Sequence, residues 1–255
     1  MNKITAFTYR NITEMLRDPL SYIFCIGFPL VMLVIMTLVN ESIPEQAGMT
    51  IFQMKNLSGG IAVFGQTFVM LFTALTVTKD RSGAFLVRMY ATPMTSLDFC
   101  MGYILPMIVI SLVQGLVTYA VSFILSLFTS TISPVGLLIS IISLIPSSVL
   151  FIAFGLLFGT LFNEKSAPGL CSIIISLGSF LGCIWFDAEA AGGVMETICK
   201  SLPFIYCTKT ARAAIALDFS FDSFWLPLLI ITICAAVLTT ISSLVFRMKM
   251  KADLA

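Results

Sequence analysis

VGLLISIISLIPSSVLFIAFGLLFGTLF, from Val135 to Phe162, carries no charged side chain over a length that reaches across a bilayer. In hydrocarbon every backbone amide needs an internal partner, so such a run is expected to be helical. Comparable runs occupy 20–39, 57–78, 99–128, 169–186 and 225–246. The expectation is therefore an all-α integral membrane fold with six transmembrane helices, organised as one transmembrane domain over 1–255. Pro106 and Pro146 lie inside two of the longer runs and are expected to kink them.

Composition agrees. Of 255 residues 58% are hydrophobic and 11% charged, with a mean hydropathy of +1.04. Soluble chains carry about 25% charged residues, so a water-soluble globule is excluded. The net charge of +1 offers no basic surface for nucleic acid. There is no His, and the seven Cys form no C-x-x-C pair, so no zinc or redox ligand set is visible. Cys199 and Cys207 fall in a stretch read as facing outward and are the one pair left open to a disulfide.

Residues 1–19 read as an amphipathic interfacial helix, with Ile4, Phe7, Ile12, Met15 and Leu16 near one face and Lys3, Arg10, Asn11, Glu14 and Arg17 mostly elsewhere. The following run is too long for a signal-peptide core and has no small-residue cleavage site. Arg17, Asp18 and Pro19 make an elbow, because the residue before Pro avoids helical backbone. With both termini inside, ten of the 14 Lys and Arg fall on the cytoplasmic side and only Lys55, Lys200, Lys209 and Arg212 outside. The positive-inside rule thus puts both termini in the cytoplasm.

No Asp, Glu, Lys, Arg or His lies within the six runs away from their ends, which speaks against an ion-coupled carrier or proton pump. No phosphate-binding G-x-x-x-x-G-K-[S/T] loop is present either. Energy for uphill transport would have to come from another polypeptide. No Ser/His/Asp set or pair of mid-membrane carboxylates suggests an enzyme. Gly155 with Gly159, and Gly178 with Gly182, have the spacing that lets helix backbones approach closely, and are expected to pack within the chain, with a seam between subunits as the alternative.

Two segments outside the spans carry the functional signal. The loop 79–95, KDRSGAFLVRMYATPMT, contains a short amphipathic helix pattern through Phe85, Leu86, Met89 and Tyr90. The segment 187–224 is too apolar for a surface loop and reads as two short helices around Ser201-Leu202-Pro203, a hairpin dipping into the outer leaflet.

In order along the chain, Arg17-Asp18-Pro19, Phe28-Pro29, Ser82-Gly83, Ala91-Thr92-Pro93, Leu202-Pro203-Phe204-Ile205-Tyr206 and Thr210-Ala211-Arg212-Ala213-Ala214 resemble the motifs of the ABC type-2 exporter permease family. The resemblance spans nearly the whole chain. It implies a non-catalytic permease subunit of six spans, with a cytoplasmic coupling helix and an outward re-entrant hairpin. Its partners would be two copies of a separate ATP-binding cassette ATPase, which holds ATP and Mg, and a second permease, either the same chain or a close relative. No cofactor is expected on this chain. The resemblance makes Arg81, Gly83, Arg88 and Pro93 the ATPase contacts, and Pro203, Tyr206 and Arg212 the marks of the hairpin. The implied location is a plasma membrane, of bacterial type. The implied activity is export of an amphiphilic substrate: a drug, a lipid-like molecule or a hydrophobic peptide. The rival expectation is an ATP-independent channel or an ion-coupled secondary carrier. Where the family usually places Glu before the Ser-Gly pair, this chain has Asp80 followed by Arg81.

Overall fold

The computed structural model describes residues 3–43, 50–83, 85–86, 94–129 and 132–252. Among these the chain is helical, with no strand. Helix α1 is Lys3–Leu16. Helix α2 is Pro19–Ser42, with a π-helical turn at Ile23–Gly27. Then come α3 (Met54–Ser82), α4 (Ser96–Thr129), α5 (Pro134–Leu161) and α6 (Ala167–Leu181). Three shorter helices follow: α7 (Ala188–Ala191), α8 (Gly193–Ser201) and α9 (Pro203–Ala216). A π-helical turn at Phe221–Trp225 leads into α10, Leu226–Ala252.

Among the described residues five helices, α2, α3, α4, α5 and the one running from Phe221 to Lys249, are long and apolar enough to cross a membrane. Helix α6 is apolar but has only 15 residues, about 22 Å at 1.5 Å per residue and short of a roughly 30 Å hydrocarbon core. The expected span 169–186 therefore loses its last turn: backbone beyond Leu181 leaves the helix, and Cys183 takes a left-handed φ of 55°. In the opposite sense, α3 continues four residues past the expected boundary at 78. Lys79 to Ser82 are its last helical residues and not the start of a loop. Helices α4 and α5 run unbroken through Pro106 and Pro146.

Helix α3 is the core. In its most apolar window 83% of residues are buried inside the chain, against 22% for α2 and 17% for the last span. The cause is small residues at its contacts. A Cβ at Gly155 of α5 would strike the Met70 carbonyl oxygen and lie 2.7 Å from Thr73 Cβ; one at Gly159 would lie 2.7 Å from Val77 Cβ. The Gly155/Gly159 pair thus seats α5 directly on α3. Amides and hydroxyls hold the seam. Gln66 donates through Nε2 to the Leu144 carbonyl (3.1 Å) and to Ser148 Oγ (2.9 Å), and Ser148 pairs with Ser111 at 2.7 Å.

Helix α9 lies antiparallel along the first half of α5. Phe204 stacks on Phe151, Ser140 Oγ donates to the Ala211 carbonyl at 3.2 Å, and the Ile215 backbone crosses Gly136 where a side chain would collide. The two ends of the bundle are thereby distinguished. At one, Phe7 of α1 meets Phe85, Phe99 and Tyr103, and Phe246 of α10 closes on Phe99. At the other, the start of α3, the chain after α6, and α9 converge on Arg212.

Candidate functional site

The end that gathers α1, the close of α3 and the start of α4 is built around Asp80. This carboxylate is 3% exposed, and Arg10 of α1 grips it with both guanidinium nitrogens, Nη1–Oδ2 2.6 Å and Nη2–Oδ1 2.7 Å. A planar fork on a carboxylate is the strongest geometry such a pair has. The Tyr103 hydroxyl of α4 donates to Oδ2 at 2.7 Å. Arg10 also reaches Glu14 Oε1 at 2.8 Å, and its guanidinium carbon lies 4.0 Å from the centroid of the Phe85 ring. Burial opposes charge on Arg10, but the hydrogen bond and the charge of Asp80, with Glu14, outweigh it, and the pKa rises above its ordinary value. Three helices are thus joined at one carboxylate, and Phe85 packs on the arginine that grips it.

The local fold explains why α1 can reach it. Phe7, Asn11 and Met15, one turn apart, form its buried face. Asn11 is fully buried because its amide donates to the Gly102 carbonyl at 2.9 Å, and Gly102 is bare where a Cβ would run into the Phe7 ring. Leu16, expected on the apolar face, is 62% exposed. At the elbow, Asp18 accepts from the Leu20 amide (3.1 Å) and Ser21 Oγ (2.8 Å), so it caps α2, with Pro19 as the first helical residue. Arg17 is exposed.

Of the four expected ATPase contacts, Arg88 and Pro93 lie outside the described residues. Gly83 closes α3, its amide bonded to the Lys79 carbonyl at 2.9 Å. Arg81 turns toward α5: Nη1 donates to the carbonyls of Gly159 (3.2 Å), Thr160 (2.5 Å) and Phe162 (3.2 Å), a cation capping the negative end of a helix. Ser82 bonds Glu164 Oε2 at 3.2 Å. The ends of α3 and α5 are therefore tied, with an open cavity of about 550 Å³ between them.

At the other end, Pro203 opens α9, and Tyr206 donates through its hydroxyl to the Lys200 carbonyl at 2.8 Å, binding α9 to α8. Arg212 lies on Gly59 and Gly60 of α3 and donates to the carbonyls of Asn56 and Cys183, both at 3.0 Å. Burial lowers its pKa to about 10, so it remains a cation at neutral pH. All seven cysteines are free, Cys199 and Cys207 included. Cys199 packs with Cys183 and Ile205, while Cys207 faces the main core. Among the described residues no group of three or more His, Cys, Asp or Glu converges as a metal would require.

In the sequence Asp80 shows no partner in the chain, Asn11 falls on the polar side of the first helix, and Gln66 is not singled out. The readable signal was an amide inside an apolar pattern, because a buried amide requires acceptors and donors on a neighbouring helix.

A comparison with individually characterised proteins found no match for the chain. The family described as ABC-2 type transporter matches residues 2–216, which takes in α1, the clamp at Asp80, the core helix and all of α9. The chain belongs to the ABC-2 type transporter membrane family, and is a multi-pass permease of the kind that normally pairs with an ATP-binding cassette ATPase.

Proposed function

We propose that this chain is the permease subunit of an ABC exporter, moving an amphiphilic substrate out of the cell with ATP and Mg held on two copies of a separate ATPase. A second permease, the same chain or a close relative, would complete the pathway. In this reading α6 with the residues after it forms the fifth of six spans, both termini are cytoplasmic, and α8 and α9 form an outward re-entrant hairpin. The burial of α9 against the first half of α5 supports the hairpin.

The observation that carries the reading is the clamp of Arg10 and Tyr103 on Asp80. A force on the segment after Gly83 would pass straight into the core helix α3, and through Arg10 into α1. Arg81, anchored on the end of α5, would extend the same rigid body to that helix. Nucleotide-driven closure of the ATPases would then bias the spans between two arrangements. Apolar walls without mid-membrane charge suit a drug, a lipid-like molecule or a hydrophobic peptide.

The test is uncoupling. With the ATPase present, replacing Gly83 or Arg88 is expected to leave the chain inserted and hydrolysis running while transport falls. Unchanged coupling in both variants would refute the assignment of these contacts.

A further inference from the structure

The end of the bundle opposite the clamp holds a cavity of about 510 Å³ between the start of α3, the chain after α6, and α9. Two features on one face of α9, one helical turn apart, are left incomplete by the protein. Arg212 has five N–H donors, of which only Nε and one Nη2 hydrogen are bonded, to backbone carbonyls. Asp187 is near enough to act on it electrostatically, but no described carboxylate makes an ion pair with it. Thr208 is fully buried, lines the cavity, and its Oγ1 has no hydrogen-bond partner. This is not the habit of the helix: Thr210 donates back to the Tyr206 carbonyl at 2.8 Å.

The surroundings define what would fill the gap. Lys55 and Lys209 also line the cavity, and Asp187, Asp218 and Asp222 balance the three cations. Asp218 is already engaged, accepting from the Ser220 amide at 3.1 Å. The walls are therefore neutral, which disfavours a multiply charged anion. A single anionic oxygen group would supply both the missing acceptor for Arg212 and a partner for the Thr208 hydroxyl. Arg212 is also fixed in advance by its bonds to the Asn56 and Cys183 carbonyls, with Nη2 over Gly60 where a Cβ would lie 3.3 Å away, so less of the fork need be ordered on binding.

We propose that this cavity is a binding site for one monoanionic oxygen group, a carboxylate or a phosphodiester, with Arg212 as its charge partner and Thr208 as its hydroxyl donor. The site stands apart from the clamp and does not depend on the direction of transport.

The test uses the full chain in maltoside micelles, which carry no phosphate. It is titrated with hexanoate, with dimethyl phosphate, and with hexyltrimethylammonium as the cationic control, while tryptophan fluorescence is read. Trp185 and Trp225 each lie two residues from lining positions. Saturable quenching by an anion but not by the cation is expected. Thr208→Val preserves shape, and its lost hydroxyl bonds nothing in the protein, so the variant should fold normally yet bind roughly ten-fold more weakly. Arg212→Gln should abolish saturation. Adding phosphatidylglycerol to the micelles separates the sources: displacement of dimethyl phosphate identifies a lipid headgroup, and undisturbed binding identifies a soluble or carried anion. Absence of saturation with both anions, equal response to the cation, or unchanged affinity in Thr208→Val would overturn the proposal.

Discussion

Removing the charge from Arg10 should loosen the chain as a whole, and the structure gives the size of the effect. Asp80 has a side chain 4% exposed, whereas that of Arg10 is 28% exposed, so the pair lies between a buried and a surface ion pair. Breaking a fully buried pair costs about 3–5 kcal/mol. An exposed pair contributes about 0.2–1 kcal/mol. Arg10→Met keeps an unbranched apolar stem but removes the guanidinium over Phe85 and leaves Asp80 with Tyr103 as its remaining partner in the clamp, so a loss of about 2–3 kcal/mol is expected. Asp80→Asn should lose a similar amount. If the contact is direct, the double variant will cost far less than the sum, with a coupling energy of about 2 kcal/mol. Denaturant unfolding of the four proteins in maltoside, followed by circular dichroism, measures this. Additive losses, with coupling below about 0.5 kcal/mol, would refute the clamp.

Gly155→Ala should destabilise the fold by about 1–3 kcal/mol, since the added methyl strikes α3; Gly169→Ala, with nothing within 4 Å, should be neutral or slightly stabilising, and equal melting temperatures would contradict the α3–α5 seam. Arg81→Gln should cost about 1–2 kcal/mol through the lost cap on α5, seen as a lower thermal midpoint; an unchanged midpoint would mean that the three carbonyls find other donors. In a cysteine-free background, an impermeant maleimide applied from outside should label Ala190→Cys and Ser220→Cys but not Ile205→Cys, which is 2% exposed; equal labelling at all three would favour a surface loop.

The helices of the bundle were legible because the bilayer imposes a length and removes charge, and both constraints are written in the chain from Val135 to Phe162. Less legible was everything set by contact between helices. Asn11 reads as polar-face residue in a helical wheel, yet it is buried because Gly102 leaves a carbonyl and a groove opposite it. The family resemblance makes Arg81 an ATPase contact; its bonds to carbonyls of α5, distant in sequence, are announced by no local pattern. The early end of α6 depends on the chain turning toward α9, whose Phe204 carbonyl meets Gly182. Asp80 was visible as a carboxylate beside the expected coupling segment, but its partners come from α1 and α4 and required the fold.

In the proposed mechanism this permease draws its energy from a separate ATPase through the end of the bundle that holds Asp80. The most direct measurement is purification of the chain in mild detergent from its native membrane, with identification of the co-purifying chains and an assay of ATP hydrolysis. Recovery of an ATP-binding cassette ATPase in equal amount, with vanadate-sensitive hydrolysis, is the expected result. A folded chain recovered alone, transporting solute in liposomes without ATP, would contradict the account and point to a channel or carrier.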